Sequence, residues 1–250
     1  MIAKYMFVTF LTVISGCSVK HFNFPPKAFV KVEMINNAKD IESLINAQSG
    51  ISPPEDADCF VVIEGKKPFI ITAPHATKPF REGEYRFSDG GGTAALARLL
   101  STLTEASAIY TQFACPIDPN FYDNCSFKTA LGQLIDMHRP LLILDIHGSH
   151  PYRPYDVDIG TMNGNSILGK EPIVIRLIED LKSAGIINIS YNYFSASQNQ
   201  TITKFGSAHG IPTIQLEINS SWLAPSQGDL YAHRFAQLLQ ALAMFLNSIE

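Results

Sequence analysis

A strand that is apolar on both faces commits a chain to a sheet covered on both sides, and residues 141–146, reading Leu-Leu-Ile-Leu-Asp-Ile, form such a run. It leads into His147-Gly148-Ser149-His150. In open α/β sheets ligands gather beyond the carboxyl ends of the strands, so His147 stands where chemistry is commonly found. Asp145, two residues earlier, is placed to support His147 by fixing the tautomer of a metal-binding imidazole. A single buried His is more often a hydrogen-bonded core residue than a ligand, so this reading depends on companions.

The rest of the pattern supplies the sheet. Residues 61–64 and 69–73 flank Gly65-Lys66-Lys67-Pro68 and read as a hairpin, while 108–113, 157–161, 187–191 and 213–218 read as further strands. Helical spacing of apolar residues covers 93–103, 127–138, 172–183, 203–209 and 229–249. Strands alternating with helices predict an α/β domain with a mostly parallel or mixed central sheet and helices on both faces. We place that domain at residues 58–250. The Pro-punctuated stretch 17–57, with one helical candidate at 38–47, reads as a tether and N-terminal embellishment. With a formal net charge of -4 and no basic run, nucleic acid is not an expected partner, whereas small or neutral substrates are.

Residues 1–16 are a separate object. A short segment with Lys4 precedes an apolar run too short to span a membrane, and Ile14-Ser15-Gly16-Cys17 places small residues before a Cys. This resembles a bacterial lipoprotein signal, with Cys17 lipid-modified as the new N-terminus. The expected location is therefore the cell envelope, lipid-anchored at an outer membrane and facing the periplasm, with membrane contact through the anchor alone. An exported location permits disulfides. Cys115 with Cys125 encloses a short loop and is the expected pair, leaving Cys59 as a small buried thiol in a strand-like run.

The companions of His147 stand at two other strand ends. Residues 69–73 run into Pro74-His75, and 213–218 carry Glu217 near their end. If the three strands are parallel neighbours, two imidazoles and a carboxylate converge on one sheet edge. Two His and an oxygen ligand, with a position left for water, is a common plan for catalytic zinc, and Glu217 would act beside it as general base. Pro74-His75 also reads as a turn. A carboxylate in the apolar setting of Glu217 needs a cation or metal nearby. No His-Glu-x-x-His occurs, and no Gly-x-Ser-x-Gly elbow that would point to a serine hydrolase.

Five short blocks occur in order: Pro74-His75-Ala76-Thr77, Asp89-Gly90-Gly91-Gly92-Thr93, Asp118-Pro119-Asn120, Asp145-Ile146-His147-Gly148 and Gln215-Leu216-Glu217-Ile218-Asn219. Together they resemble the N-formylglutamate amidohydrolase family, which is related in fold to zinc carboxypeptidases and aspartoacylases. The resemblance runs from about residue 60 to 246. It implies a zinc-exopeptidase-like (phosphorylase/hydrolase-like) fold and one Zn2+ held by His75, an acidic residue and His147, with Glu217 as catalytic acid/base. Asp89 matches the acidic position, which also reads as a turn or helix cap. Glu84 is the reserve. Three positions after the first His, where carboxypeptidases place a Glu, stands Lys78.

Two departures bear on substrate. Where the family often carries Arg, this chain has Phe121 and Ser220, which removes cations suited to a substrate carboxylate. Arg81, Arg86 and Arg153 are replacement candidates. Asn120 is a candidate to orient substrate or else to complete an Asx turn, and His150 reads as a residue of the rim or one that supports the ligands from behind. The expected activity is hydrolysis of an amide bond in an N-acyl (N-formyl-like) amino acid or small peptide by metal-activated water, with Glu217, Asn120 and Arg153 as catalytic groups. The alternatives are a zinc carboxypeptidase or cell-wall peptide amidase, and a non-catalytic envelope binding lipoprotein of the same fold.

Overall fold

A computed structural model of the chain describes residues 30–249; the expected signal segment and Cys17 lie outside them. In chain order the elements are α1 (Val32–Gln48), β1 (Phe60–Ile63), β2 (Lys67–Ala73), β3 (Phe80–Arg81), β4 (Glu84–Tyr85), α2 (Gly91–Thr104) and β5 (Ala106–Thr111). There follow α3 (Ser126–His138), β6 (Leu142–Ser149), β7 (Val157–Gly160), α4 (Glu171–Ser183), β8 (Ile189–Tyr191), α5 (Ile202–Ala208), β9 (Thr213–Asn219) and α6 (Asp229–Ser248). Seven strands form one mixed sheet in the order β1-β5-β2-β6-β9-β7-β8. β2, β6 and β9 are parallel neighbours at its centre, as the three-strand reading requires. β1 and β7 run antiparallel to their inner neighbours, and β3 pairs with β4 alone.

Successive residues of a strand face opposite sides of a sheet, and here the two sides differ. Phe69, Ile71, Leu142, Leu144, Ile146, Ile214 and Leu216 face a continuous apolar core that includes residues of α1, α2, α4 and α6. On the other side Ile70, Ile109 and Ile143 pack with Phe127, Leu131 and Ile135 of α3 and with Ile202 of α5. That second face changes character along the strands: Ile143 is followed by Asp145, His147 and Ser149, Ile70 by Thr72, and β9 presents Gln215, Glu217 and Asn219. The same alternation that buries one face thus assembles a polar site at the carboxyl end of the other.

Three sequence expectations are corrected. The 61–64 and 69–73 segments are not a hairpin, because β5 inserts between them. The connecting turn is held by β5's own entry: Lys66 N and Lys67 N donate to Glu105 O at 2.7 and 2.9 Å, and a Cβ on Gly65 would stand 2.3 Å from that same oxygen. The described part of the expected tether is structural, since α1 buries Ala38, Ile41 and Ile45 in the main core, and Asn46 Oδ1 accepts from Gly91 N at the start of α2. The domain boundary therefore moves ahead of α1. The disulfide joins Cys59 to Cys115 and leaves Cys125 as a buried thiol, instead of pairing Cys115 with Cys125. The antiparallel β1–β5 ladder explains it: Gln112 N and Phe113 N both donate to Cys59 O, which draws Cys59 to the end of β5. Cys125 instead caps the N-terminus of α3, and burial pushes its thiol pKa up. Among the described residues no helix is long and apolar enough to cross a membrane.

Candidate metal centre

Register places the centre. His147 pairs with Glu217 across β6–β9, Asp145 with Thr72 across β2–β6, and Asp158 of β7 with Glu217 on the other side. His75 follows directly on the end of β2. Asp89 precedes α2 and reaches the centre through two local devices. Its N–H donates to His75 O at 2.7 Å, and Gly148 admits its backbone, since a Cβ there would stand 2.7 Å from Asp89 O.

His75, Asp89 and His147 each turn one potential ligand atom towards the others, all within 4.8 Å. Asp89 Oδ2 lies 2.9 Å from His147 Nδ1 and 3.9 Å from His75 Nδ1. Both rings have the opposite nitrogen occupied: His75 Nε2 lies 2.7 Å from Asp118 Oδ1, and His147 Nε2 3.2 Å from Asp145 Oδ2. Imidazole held by a carboxylate at one nitrogen and presented at the other is the usual arrangement around a bound metal. The supporting acids are themselves fixed. Asp145 accepts from Thr72 Oγ1 at 2.5 Å, and Asp118 accepts from Asn120 N at 2.8 Å with Arg81 Nη1 3.5 Å away.

Electrostatics fit a cation as well. Asp89, Asp145, Asp118 and Glu217 crowd around two imidazoles, so the cluster is acid-rich. Burial alone would favour a neutral His147, yet Asp145 and Asp89 outweigh it and hold the ring's pKa well above its usual value. Burial also works against ionised Asp118, but hydrogen bonding and charge from His75, then Arg81, hold its carboxyl below the ordinary range. Glu217 is pushed up to about 7, by burial first and by the nearby acids Asp89 and Asp145, against the opposing pull of His147 and His75. The donor set of two imidazoles and a carboxylate suits zinc.

The expected site residues divide. His75, Asp89, His147 and Glu217 are brought together and Asp145 supports His147. Asn120 contributes at two points: Nδ2 lies 3.4 Å from His147 Nε2, and Oδ1 accepts from Ile202 N at the start of α5. The Asx-type bond at this turn belongs to Asp118, which accepts from Asn120 N. Glu84 is excluded as the acidic ligand, being exposed on β4 and paired with Arg86. Of the replacement cations, Arg81 is held by Asp118 and lies over the ring of Phe121, and Arg86 by Glu84. Arg153 lies over Phe194 and Tyr193, 4.7 and 6.0 Å from the ring centroids. His150 is exposed and its ring lies beside that of Tyr152.

Two functional residues escaped the sequence reading. Asp118 was in view in the Asp-Pro-Asn block without a role. Asp158 is fully buried beside Glu217 and accepts from Ser190 Oγ, Tyr193 N and Phe194 N at 2.7, 3.0 and 2.7 Å. It thereby anchors the start of the segment 193–199, which with Asn120, Thr201, Gln215 and Glu217 lines a cleft of about 370 Å³. An Asp in the run Val-Asp-Ile-Gly was the available signal.

No protein-family model matches the sequence, and no curated protein matches it. Solved structures do. The chain is similar to an N-formylglutamate amidohydrolase from Ralstonia eutropha (TM-score 0.54, 14% identity), with 75% of this chain and 98% of that one covered. It is similar to a gene product of Agrobacterium tumefaciens (TM-score 0.52, 13% identity, 77% and 97% covered). A metallo-carboxypeptidase from Pseudomonas aeruginosa aligns with TM-score 0.49 and 15% identity, over 86% and 68% of the two chains. The chain thus has the fold seen in the N-formylglutamate amidohydrolase, in agreement with the architecture expected from its motifs.

Proposed function

We propose that the chain is a metal-dependent hydrolase of amide bonds in N-acyl amino acids or small peptides. The observation that carries this reading is the convergence of His75 Nδ1, Asp89 Oδ2 and His147 Nδ1, each imidazole backed by a buried carboxylate, beside Glu217 at the edge of a cleft. Zinc at such a triad supplies Lewis acidity, which acidifies water and polarises a carbonyl. Glu217 is the general base in this reading: it takes the proton of the attacking water and returns it to the leaving amine. Burial and the neighbouring acids raise its pKa, and a cation at the triad would favour the carboxylate form that a base needs. Gln215 Nε2 donates to Glu217 Oε1 at 2.9 Å and so orients one oxygen, leaving the other for the proton. Asn120, beside His147 and lining the cleft, steadies developing oxyanion charge.

The test is zinc titration of the purified chain with a hydrolysis screen over N-acyl amino acids and short peptides. Glu217→Gln is expected to retain zinc and lose roughly 10²–10⁴ in kcat. Lack of stoichiometric zinc binding, or unchanged activity of that variant, refutes the proposal. We further propose that the enzyme is lipid-anchored in the cell envelope through Cys17. The Cys59–Cys115 disulfide supports an oxidising compartment. A Cys17→Ser protein that still takes up labelled lipid would contradict it.

A further inference from the structure

We infer that the portion of the substrate seated in the cleft carries no free carboxylate: the scissile amide lies inside an uncharged, amide-rich peptide segment. This rests on the hydrolase reading above and narrows its substrate class.

Charge around the cleft carries the argument. Among the described residues lining it, Glu217 is the one charged side chain, and it is an acid. Among the described residues no Lys or Arg lines it, and the nearby cations make their contacts elsewhere. Arg81 is held by Asp118 and stacked on Phe121, which fills one position where an Arg was sought. Lys128 is buried, bonded to Asp123 and to Gln200 O, and Lys204 Nζ donates to Asn199 O from behind the lining segment. Arg153 packs on Phe194 and Tyr193 and is not among the residues that line the cleft. A substrate carboxylate placed here would stand beside Glu217 without a cationic side chain to pair with, which is unfavourable.

The lining is instead equipped for neutral amides. Gln198 and Asn199 offer side-chain amides, each with a donor pair and an acceptor, which complement a peptide group on both its edges. The Ser195 and Ser197 hydroxyls, bonded to each other at 2.7 Å, keep free lone pairs for a peptide N–H. Asp158 anchors the start of this wall by accepting from the backbone N–H groups of Tyr193 and Phe194.

The experiment compares N-acetyl-alanyl-glutamine with its C-terminal carboxamide on the zinc-loaded full chain, by calorimetric binding and by hydrolysis. The carboxamide is expected to bind at least about tenfold more tightly, and Gln198→Ala with Asn199→Ala to erase most of that preference. A smaller or reversed preference overturns the inference, as does failure of both peptides to bind. The two proposals fail separately. Selective binding of the carboxamide without hydrolysis counts against the enzyme reading alone, since recognition of an uncharged amide segment in the cleft is then still upheld. Hydrolysis with preference for the free acid refutes this one alone.

Discussion

Replacing Asp118 tests the centre at a residue that touches no substrate and would hold no metal. Asp118 is fully buried, its Oδ1 lies 2.7 Å from His75 Nε2 and 2.8 Å from Asn120 N, and Arg81 Nη1 is 3.5 Å from its other oxygen. In Asp118→Asn an amide oxygen can replace Oδ1 and keep both short bonds, but the negative charge behind His75 is gone and an NH₂ group faces Arg81. The imidazole becomes a weaker donor while its orientation survives, which places the loss at the lower end of what removal of such supporting groups costs, about tenfold in zinc affinity or ~1.4 kcal/mol. Asp118→Ala removes both bonds and leaves Arg81 without its counter-charge, so it belongs at the upper end, about 100-fold or ~2.7 kcal/mol. The assay is competition for zinc against a fluorescent chelator at fixed pH and salt, with circular dichroism of both variants as the check on folding. Folded variants that bind zinc within about threefold of wild type, or equal losses for Asn and Ala, would falsify the assignment of Asp118 as the group that orients His75.

Further outcomes follow from the same geometry. With metal chelated, His147 has a pKa above its usual 6.5 and Glu217 is raised from 4.5 to about 7, so both contribute stability that is full at acid pH and lost as pH rises through the folded values. For Glu217 alone this is on the order of 3 kcal/mol, or roughly 5–10 °C in Tm between pH 5 and 8. EDTA-treated protein should melt lower at pH 8, and zinc should raise Tm more at pH 8 than at pH 5; a flat profile contradicts the charge assignment. Gly148→Ala places a Cβ 2.7 Å from Asp89 O and should weaken zinc binding although every ligand remains; normal affinity in the variant would show that Asp89 is not held there. The Cys59–Cys115 bond spans 56 positions, so Cys115→Ser should cost about 4 kcal/mol in unfolding experiments, and a reductant should have no further effect on it. Cys125→Ser should leave the reductant response in place, and loss of that response would point to a different pairing.

What the sequence revealed and what it concealed differ in range. Local periodicity located most of the helices and the strands of the main sheet, because buried strands and amphipathic helices write their environment into neighbouring positions, though it began α1 six residues late and missed the β3–β4 pair. The three strand ends bearing His75, His147 and Glu217 were legible for the same reason. Pairing was not: the supposed hairpin after Gly65 failed because β5, forty residues on, lies between its two strands, and nothing at 61–73 encodes that neighbour. The cysteines failed alike, since closeness in sequence favoured Cys115 with Cys125 whereas strand pairing drew Cys59 to Cys115. Asp118 and Asp158 were hidden because a supporting carboxylate is defined by the ring or backbone it reaches, and those partners are remote in the chain. The alternation Asp145, His147, Ser149 against Gln215, Glu217, Asn219 was visible all along and marks which face of the sheet is chemical.

The ladder pair Asp158 and Glu217 has an evolutionary consequence. One carboxylate of the pair is assigned to proton transfer, while its neighbour grips the cleft wall by main-chain N–H groups and a single serine. Main-chain anchoring is indifferent to side-chain identity, so residues 195–199 can be exchanged without moving the base or the triad. Descendants of such a chain can drift in what they accept while keeping the same reaction, and a library randomised at 195–199 over a fixed Asp158 is the natural place to retarget it.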